Sequence, residues 1–224
     1  PDGSYILSET ENGKSYQNML TTNLTLIGNK DKFYLRNTLN TEWKWHRIDL
    51  MTQNDKNLIQ EKAYMPSHKV SNNFNLVKRL RNQSISFSSF ILWQSTPNTL
   101  DIFTDEKEKQ IQSVSTFFLF NNNHAIYSFT LGKFILSLNG GINFLLRQMD
   151  SNQQNNHIPV EGDLLYNDIQ TNYIRSYLNP KIELNKRFLI LTIQCPVSYY
   201  HYIYKKEKQR QTMNYLRFAA EDYR

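Results

Sequence analysis

Four tight turns recur along the chain at intervals of about 52 residues, and each separates two stretches in which apolar and polar residues alternate. Each turn contains Asn, Gly or Asp, which tolerate the left-handed backbone of two-residue hairpins. Alternation with a period of two indicates strands whose two faces meet different surroundings. We therefore predict an all-β antiparallel up-and-down meander of about eight strands. The turns are Gly28-Asn29-Lys30-Asp31, Arg79-Leu80-Arg81-Asn82, Leu131-Gly132-Lys133 and Leu184-Asn185-Lys186-Arg187.

Long polar stretches separate the alternating runs at their opposite ends. Short turns at one end and long loops at the other are typical of outer-membrane barrels. A soluble β-sandwich has no comparable reason to sort its loops by length. The predicted loops span residues 52–67, 95–110, 148–168 and 205–212.

One face of each predicted strand is apolar and the other carries neutral polar residues. In the run after the third turn, alternate positions from Phe134 to Leu146 are apolar or glycine, and Ser137, Asn139 and Asn143 lie between them. Unpaired backbone groups cost several kcal/mol in hydrocarbon, so a sheet that faces lipid must close into a barrel. We predict that residues 1–224 form a single segment of a transmembrane β-barrel, cut from a longer chain and without a plug domain.

Aromatic residues lie near the predicted loop ends of several strands, where they are candidates for a girdle at the membrane interface. The alternative is that they pack within the core or on the sheet of a soluble protein. The candidates are Trp43, Trp45, Trp93, Tyr199, Tyr200 and Tyr202.

The sequence gives no pattern of catalytic, metal-binding or cofactor-binding residues. The five histidines occur singly, and Cys195 lies in an apolar alternating run where a thiol is an inert small side chain. The net charge of +6 is spread over short basic groups with no basic helix, which disfavours nucleic acid as a partner. We expect neither an enzyme nor a metal or cofactor site. Pro196 interrupts a good strand pattern and predicts a bulge or an early strand end.

Four stretches resemble the β-barrel region of TonB-dependent receptor-like outer-membrane proteins of the Bacteroidetes type. The resemblance is one of rhythm and turn style and covers most of the chain. The Cys-Pro-Val-Ser-Tyr segment also echoes the Pro-Ser-Tyr-like ends of strands in that family. The stretches are NLTLIGNKDKFYLRNTLNTEWKW, FNLVKRLRNQSISFSSFILW, STFFLFNNNHAIYSFTLGKFILSLNGGINF and YLNPKIELNKRFLILTIQCPVSYYHYIY.

The resemblance implies a location in the bacterial outer membrane, in contact with lipid, and a role in binding and uptake of an extracellular nutrient such as a glycan or metal chelate. TonB would act through parts of the parent protein that this chain lacks. The alternative, a soluble all-β module that binds a carbohydrate or another ligand, expects the apolar faces to pack together in a dry core.

Overall fold

The computed structural model describes residues 9–54, 58–104, 108–155, 166–186, 189–206, 209–218 and 221–223. Strands make up nearly all of these ranges, and no helix long and apolar enough to cross a bilayer occurs in them. The strands are β1 (Glu9–Lys30), β2 (Phe33–Asn54), β3 (Leu58–Tyr64), β4 (Ser67–Leu80), β5 (Gln83–Thr104), β6 (Glu108–Leu131), β7 (Phe134–Asn155), β8 (Tyr166–Lys186), β9 (Leu189–Gln194), β10 (Val197–Lys206), β11 (Gln209–Phe218) and β12 (Glu221–Tyr223).

The twelve strands form one antiparallel sheet whose neighbours follow the chain order. Three pairs of strands, β3 with β4, β9 with β10 and β11 with β12, are the two halves of longer strands, because each pair meets the same neighbours. The sheet is therefore a meander of nine long strands, which confirms the predicted fold class and adds one strand to the expected number. Within the ranges described, β1 pairs only with β2, and β11 only with β10.

The second and third predicted turns are confirmed as two-residue hairpin turns, at Arg81-Asn82 and Gly132-Lys133. The first hairpin turn lies at Asp31-Lys32, later than predicted, because β1 continues to Lys30. Gly132 has a φ of 61°, a backbone conformation that glycine adopts without the steric cost of a Cβ atom. At the fourth predicted turn, β8 continues through Leu184, Asn185 and Lys186, and residues 187–188 lie outside the described ranges.

The prediction of long polar loops is wrong for most of the residues concerned. Residues 58–64 form β3, β5 continues to Thr104, and β7 continues to Asn155. Residues 156–165 lie outside the described ranges. Asn, Gln and Asp have low strand propensity, but ladder hydrogen bonds to two neighbouring strands override that preference here.

Proline interrupts two strands without changing their register. Met65 and Pro66 separate β3 from β4, and Cys195 and Pro196 separate β9 from β10. The Cys195 amide still donates a hydrogen bond to the Pro180 carbonyl at 3.2 Å. Because both halves keep one register with β8, the structure shows a strand break with no extra residue, one of the two outcomes predicted for Pro196.

Successive turns are displaced along the sheet by a constant step. The row of paired residues that begins at Phe33, beside the first turn, reaches Ile85 two residues from the start of β5. The same row reaches Leu138 four residues from the start of β7, and Pro180 six residues before the end of β8. A step of two residues for every two strands corresponds to a strand tilt of about 35°, from a rise of roughly 3.3 Å per residue and a spacing of roughly 4.8 Å between strands. Barrel closure requires a tilt of this size.

The sheet is a single layer. The buried residues in the described ranges are Pro66, Ser198 and Tyr200, and no second sheet or helix covers either face of the described strands. The hydrogen-bond ladder therefore holds the fold together, with side-chain contacts between neighbouring strands.

Gly141 marks the tightest approach between strands β6, β7 and β8. A Cβ atom placed there would lie 2.5 Å from the Asn123 carbonyl oxygen and 2.7 Å from the Tyr177 hydroxyl. At the neighbouring Gly140, the nearest atom to an added Cβ is Cδ1 of Leu178 at 3.2 Å, the end of a side chain that can rotate away.

We predict that Gly141→Ala lowers the free energy of unfolding of the full chain by about 1–3 kcal/mol, as expected for overpacking. Gly140→Ala is the matched control and should change it by less than about 1 kcal/mol. Denaturant unfolding in detergent micelles measures both values. Equal effects of the two substitutions would contradict the close packing of Tyr177 over Gly141.

Candidate functional surfaces of the sheet

The two faces of the sheet differ most near the tight turns. We divide the strands into two halves. The turn half contains the strand residues within thirteen positions of a tight turn, together with the residues of β11 that pair with them. The loop half contains the remaining strand residues. In the turn half, the residues that belong to the same cross-strand rows as Leu136, Leu138 and the other even-numbered positions of β7 project on one side of the sheet, which we call the apolar face. The residues in the same cross-strand rows as Ser137, Asn139 and the other odd-numbered positions of β7 project on the opposite side, which we call the polar face.

The apolar face of the turn half is exposed although it consists of large hydrophobic residues. Leu26 is 64% exposed, Ile142 53% and Ile193 59%. Among the side chains that the structure describes, the charged residues on this face are Lys30 and Lys78, and both lie beside turns. A soluble protein rarely exposes so large an apolar surface, whereas a membrane protein exposes it to lipid.

Four aromatic residues lie at one height on the apolar face. Trp43, Trp93, Phe144 and Tyr199 each follow the first residue of their strand by ten positions, in β2, β5, β7 and β9–β10. At a tilt of about 35°, ten residues rise by roughly 27 Å, which matches the height of about 25 Å of the apolar band of an outer-membrane barrel. Aromatic girdles border such bands.

The structure divides the six candidate aromatics between the two faces. Trp43, Trp45, Trp93 and Tyr199 lie on the apolar face, and a position at a lipid interface stays a proposal for them. Tyr200 and Tyr202 lie on the polar face, and Tyr200 is buried there, so the register does not group these two with the other four. Phe144 is the residue that sequence reasoning missed, although equal spacing from the strand starts identifies it.

Asparagines interrupt the apolar face at several positions, among them Asn37, Asn72, Asn121 and Asn123. The side chains of Asn121 and Asn123 hydrogen-bond each other. Oδ1 of Asn37 and Oδ1 of Asn72 are buried without a hydrogen-bond partner in the described part of the chain. Asn72 lies between two apolar neighbours, Leu39 on β2 and Ile91 on β5. An unpaired amide in an apolar environment costs about 1–3 kcal/mol.

We predict that Asn72→Leu raises the free energy of unfolding by about 1–3 kcal/mol, because leucine removes the unpaired amide and extends the apolar surface. The matched control, Asn73→Leu, changes the polar face, where Asn73 accepts a 2.9 Å hydrogen bond from Asn75. That substitution should lower the value by about 1 kcal/mol. Denaturant unfolding of the lipid-reconstituted full chain tests the pair, and a destabilising Asn72→Leu would count against a lipid-facing surface.

Some of the amides and hydroxyls on the polar face of the turn half hydrogen-bond one another across strands. The Asn23 and Asn40 side chains form a hydrogen bond between β1 and β2. The Ser128 and Ser137 hydroxyls lie 3.0 Å apart between β6 and β7. Neutral groups of this kind suit a hydrated surface or a polar ligand.

An arginine and several tyrosines form the most densely packed point of the polar face. We call Tyr173, Arg175, Tyr177, Ser198, Tyr200 and Tyr215 the arginine–tyrosine cluster. It joins strands β8, β10 and β11.

Aromatic contacts hold the guanidinium group in this cluster. The Arg175 guanidinium lies 5.2 Å from the centre of the Tyr177 ring and 5.4 Å from that of Tyr200. Tyr200 is 9% exposed and stacks on Tyr215 with ring centres 4.5 Å apart and an interplanar angle of 10°. Cation–π contacts with two rings fix the position of the charge.

The polarity of the faces changes in the loop half. Residues in line with the apolar face become polar, such as Gln148, Asp150 and Asn152 on β7. The opposite side carries apolar residues there, including Leu50 on β2 and Ile102 on β5. Strands of 22 residues extend over roughly 70 Å, about twice what a membrane-spanning strand needs. The loop half therefore has the polarity of a region outside the bilayer.

Two carboxylates face each other in the loop half. Asp150 on β7 and Asp168 on β8 are direct cross-strand partners. Burial and the hydrogen bond and charge of Asp150 raise the pKa of Asp168 above its usual range, whereas the Lys205 ammonium lowers it. Elsewhere in the loop half, Arg47 and Asp49 form an ion pair at 3.0 Å.

A carboxyl group whose pKa is raised by folding destabilises the fold once it is ionised, so stability falls as pH rises from about 4 through the folded pKa. We predict that Asp168→Asn stabilises the full chain at pH 7 and that this gain disappears below about pH 4. The control Asp49→Asn removes the partner of Arg47 and should give no gain at pH 7. Denaturant midpoints measured across this pH range test the prediction, and a pH-independent effect of Asp168→Asn would contradict it.

The remaining titratable groups are dispersed. Among the described residues, no group of three or more His, Cys, Asp or Glu side chains is placed to hold a metal ion. His46 and His68 project on opposite faces of neighbouring strands, and His124 and His201 lie on other strands. His157 lies outside the described ranges. Cys195 is exposed as a free thiol.

Of the comparisons with known proteins, the one with solved structures found similar chains. No family model and no curated protein matches the chain. The ferric citrate transporter FecA in its unliganded form aligns with a TM-score of 0.44 and 8% identity, over 94% of this chain and 40% of FecA. The ferric-catecholate import receptor Fiu from E. coli K12 aligns with a TM-score of 0.41 and 10% identity, over 96% of this chain and 47% of Fiu. The chain thus spans less than half the length of either protein.

Proposed function

We propose that this chain is the membrane-spanning and outward-projecting wall of an outer-membrane β-barrel, and that its parent protein is a TonB-dependent receptor-like, non-enzymatic importer of an extracellular nutrient. The observation that carries the proposal is the single-layer sheet with one exposed apolar band. That band is nearly free of charge, begins at the tight turns and is bordered by aromatic residues about 27 Å away.

The orientation of the wall follows from the lengths of its strands. The apolar band occupies the turn half, and the strands continue by about ten residues beyond it in the loop half. In outer-membrane barrels the short turns are periplasmic and the longer extensions are extracellular. The turns at Asp31-Lys32, Arg81-Asn82 and Gly132-Lys133 would therefore lie in the periplasm.

Nutrient import is inferred from the sequence resemblance together with the hydrated polar face. FecA is a ferric citrate transporter and Fiu a ferric-catecholate import receptor, whereas the ligand of this chain is proposed more broadly as a glycan or a metal chelate. TonB would act through a plug domain and a TonB-contacting segment of the parent protein. Trp43, Trp45, Trp93 and Tyr199 would lie at the outer membrane interface.

Tryptophan quenching by brominated lipid tests the position of the apolar band. The experiment uses vesicles that contain the full chain, and the difference in fluorescence between this chain and its Trp93→Phe variant gives the contribution of Trp93. Bromine near the headgroup end of the acyl chain should quench that contribution more than bromine near the bilayer centre. The reason is that Trp93 lies at the upper border of the band.

The matched control moves the indole to the other face at nearly the same height. In the double variant Leu92→Trp, Trp93→Phe, the indole lies on the polar face, and brominated lipid should leave it unquenched. If aqueous acrylamide quenches Trp93 and brominated lipid does not, the membrane proposal fails and a soluble binding module becomes the better account.

A further inference from the structure

The positive charge of the chain is concentrated on one surface of the sheet. Among the side chains described, the polar face of the turn half carries seven basic and two acidic residues. Both acidic residues are already paired, Glu42 with Lys44 at 3.0 Å and Glu183 with Lys181 at 2.9 Å. The basic residues are Arg36, Lys44, Lys69, Arg79, Arg175, Lys181 and Arg217. The polar face therefore has a net positive charge that its own carboxylates do not neutralise.

Arg175 is the basic residue most enclosed by other side chains of this face. Its Nη2 donates a hydrogen bond to the Ser198 hydroxyl at 3.4 Å, and its buried Nε has no hydrogen-bond partner in the described part of the chain. None of the ion pairs between described residues involves Arg175. A guanidinium has five N–H donors, so most of its capacity is unused.

An amide acceptor lies opposite this arginine on the neighbouring strand, and two more lie further along the polar face. Asn143 lies directly opposite Arg175 on β7, and Asn139 lies opposite Asn179 nearer the turn. Oδ1 of each of these three asparagines is buried without a partner in the described ranges. A cation without an ion-pair partner, beside an unpaired amide oxygen, suits a solute that has both an anionic oxygen and a hydroxyl group.

We infer that the polar face attracts anionic solutes and that Arg175, held between Tyr177 and Tyr200, binds the carboxylate or phosphate group of a small hydroxylated solute. This inference rests on the proposed function, because it needs the polar face to line a solute pathway. Arg217, opposite Ser198 on β11, adds to the positive potential at the same point.

The first experiment measures the potential at the polar face without reference to a ligand. In a Cys195→Ser background of the full chain, Asn143→Cys and Ser86→Cys place single thiols on the polar face near to and far from Arg175. Relative to a free thiol, an anionic thiosulfonate reagent should modify Asn143→Cys faster than a cationic one by on the order of tenfold, the ratio expected for a potential of about 1 kT.

Removal of the guanidinium should change this ratio locally. Arg175→Gln should lower the preference at Asn143→Cys severalfold and leave Ser86→Cys nearly unchanged. The matched control Arg79→Gln removes an equal charge near the second turn and should leave Asn143→Cys nearly unchanged. Equal rates for both reagents, or a thiol that neither reagent reaches, would overturn the inference.

The second experiment tests the bound oxyanion. Glucuronate and inorganic phosphate are the probes, and glucose is the neutral control. At least one of the two anions should slow modification of Asn143→Cys with a neutral reagent, and glucose should not. Arg175→Gln should weaken this protection about tenfold to a hundredfold, as expected for loss of a charge-assisted hydrogen bond. Arg175→Lys should restore it in part, because lysine keeps the charge but lacks the fork of donors.

The lipid-quenching test and the anion-protection test together separate failure of the inference from failure of the proposed function. If brominated lipid quenches Trp93 but neither anion protects Asn143→Cys, the barrel proposal stands and the oxyanion site is overturned. If the lipid test fails, the pathway on which the inference rests fails with it. Protection by phosphate alone would assign the site to a phosphorylated solute, and protection by glucuronate alone to a sugar acid or hydroxy acid.

Discussion

Hydrogen bonding between neighbouring strands is the constraint on which this structure depends. A two-layered protein can compensate for a weak strand with a buried core, but the described ranges contain three buried residues and no second layer. Each strand is therefore held by its partners in register, and a shift of one residue would exchange the apolar and polar faces. The register through Met65-Pro66 and Cys195-Pro196 is unchanged, so two proline-containing breaks leave the alternation intact.

The constant displacement of the turns connects this register to a closed shape. A tilt of about 35° lies in the range that barrels adopt, and it arises from the pairing alone. The same tilt sets the vertical distance between the turns and the row of Trp43, Trp93, Phe144 and Tyr199. The height of roughly 27 Å that follows from this tilt is close to the height of about 25 Å of the apolar band of an outer-membrane barrel.

The division of charge between the faces gives the wall two different roles. The apolar face is nearly free of charge in the turn half, and the opposite face keeps seven basic residues, with the guanidinium of Arg175 enclosed by tyrosines. Charge is costly in lipid and favourable in a water-filled interior, so the proposed barrel would account for both distributions. In the loop half this contrast disappears, as expected where both faces meet water or protein.

Sequence reasoning predicted the turn half well because apolar and polar residues alternate there with the period of a strand. It failed in the loop half, where Gln148, Asp150 and Asn152 have poor strand propensity and no apolar alternation, and where pairing with β6 and β8 determines the conformation. The arginine–tyrosine cluster could not be predicted, because the contacts of Arg175 with Tyr200 and of Tyr200 with Tyr215 depend on the registers of three strands. Alternation alone does separate Tyr199 from Tyr200, since consecutive residues of a strand point to opposite faces.

A spin-label scan along β7 tests the central claim most directly, with one label at each position from 134 to 152 in the Cys195→Ser full chain in lipid vesicles. If the apolar face contacts lipid, accessibility to oxygen should peak at even positions through Leu146, and accessibility to a water-soluble nickel complex should dominate at even positions from Gln148 onward. Even positions between Phe134 and Leu146 that are shielded from both reagents would show that protein covers this face, and would contradict the account.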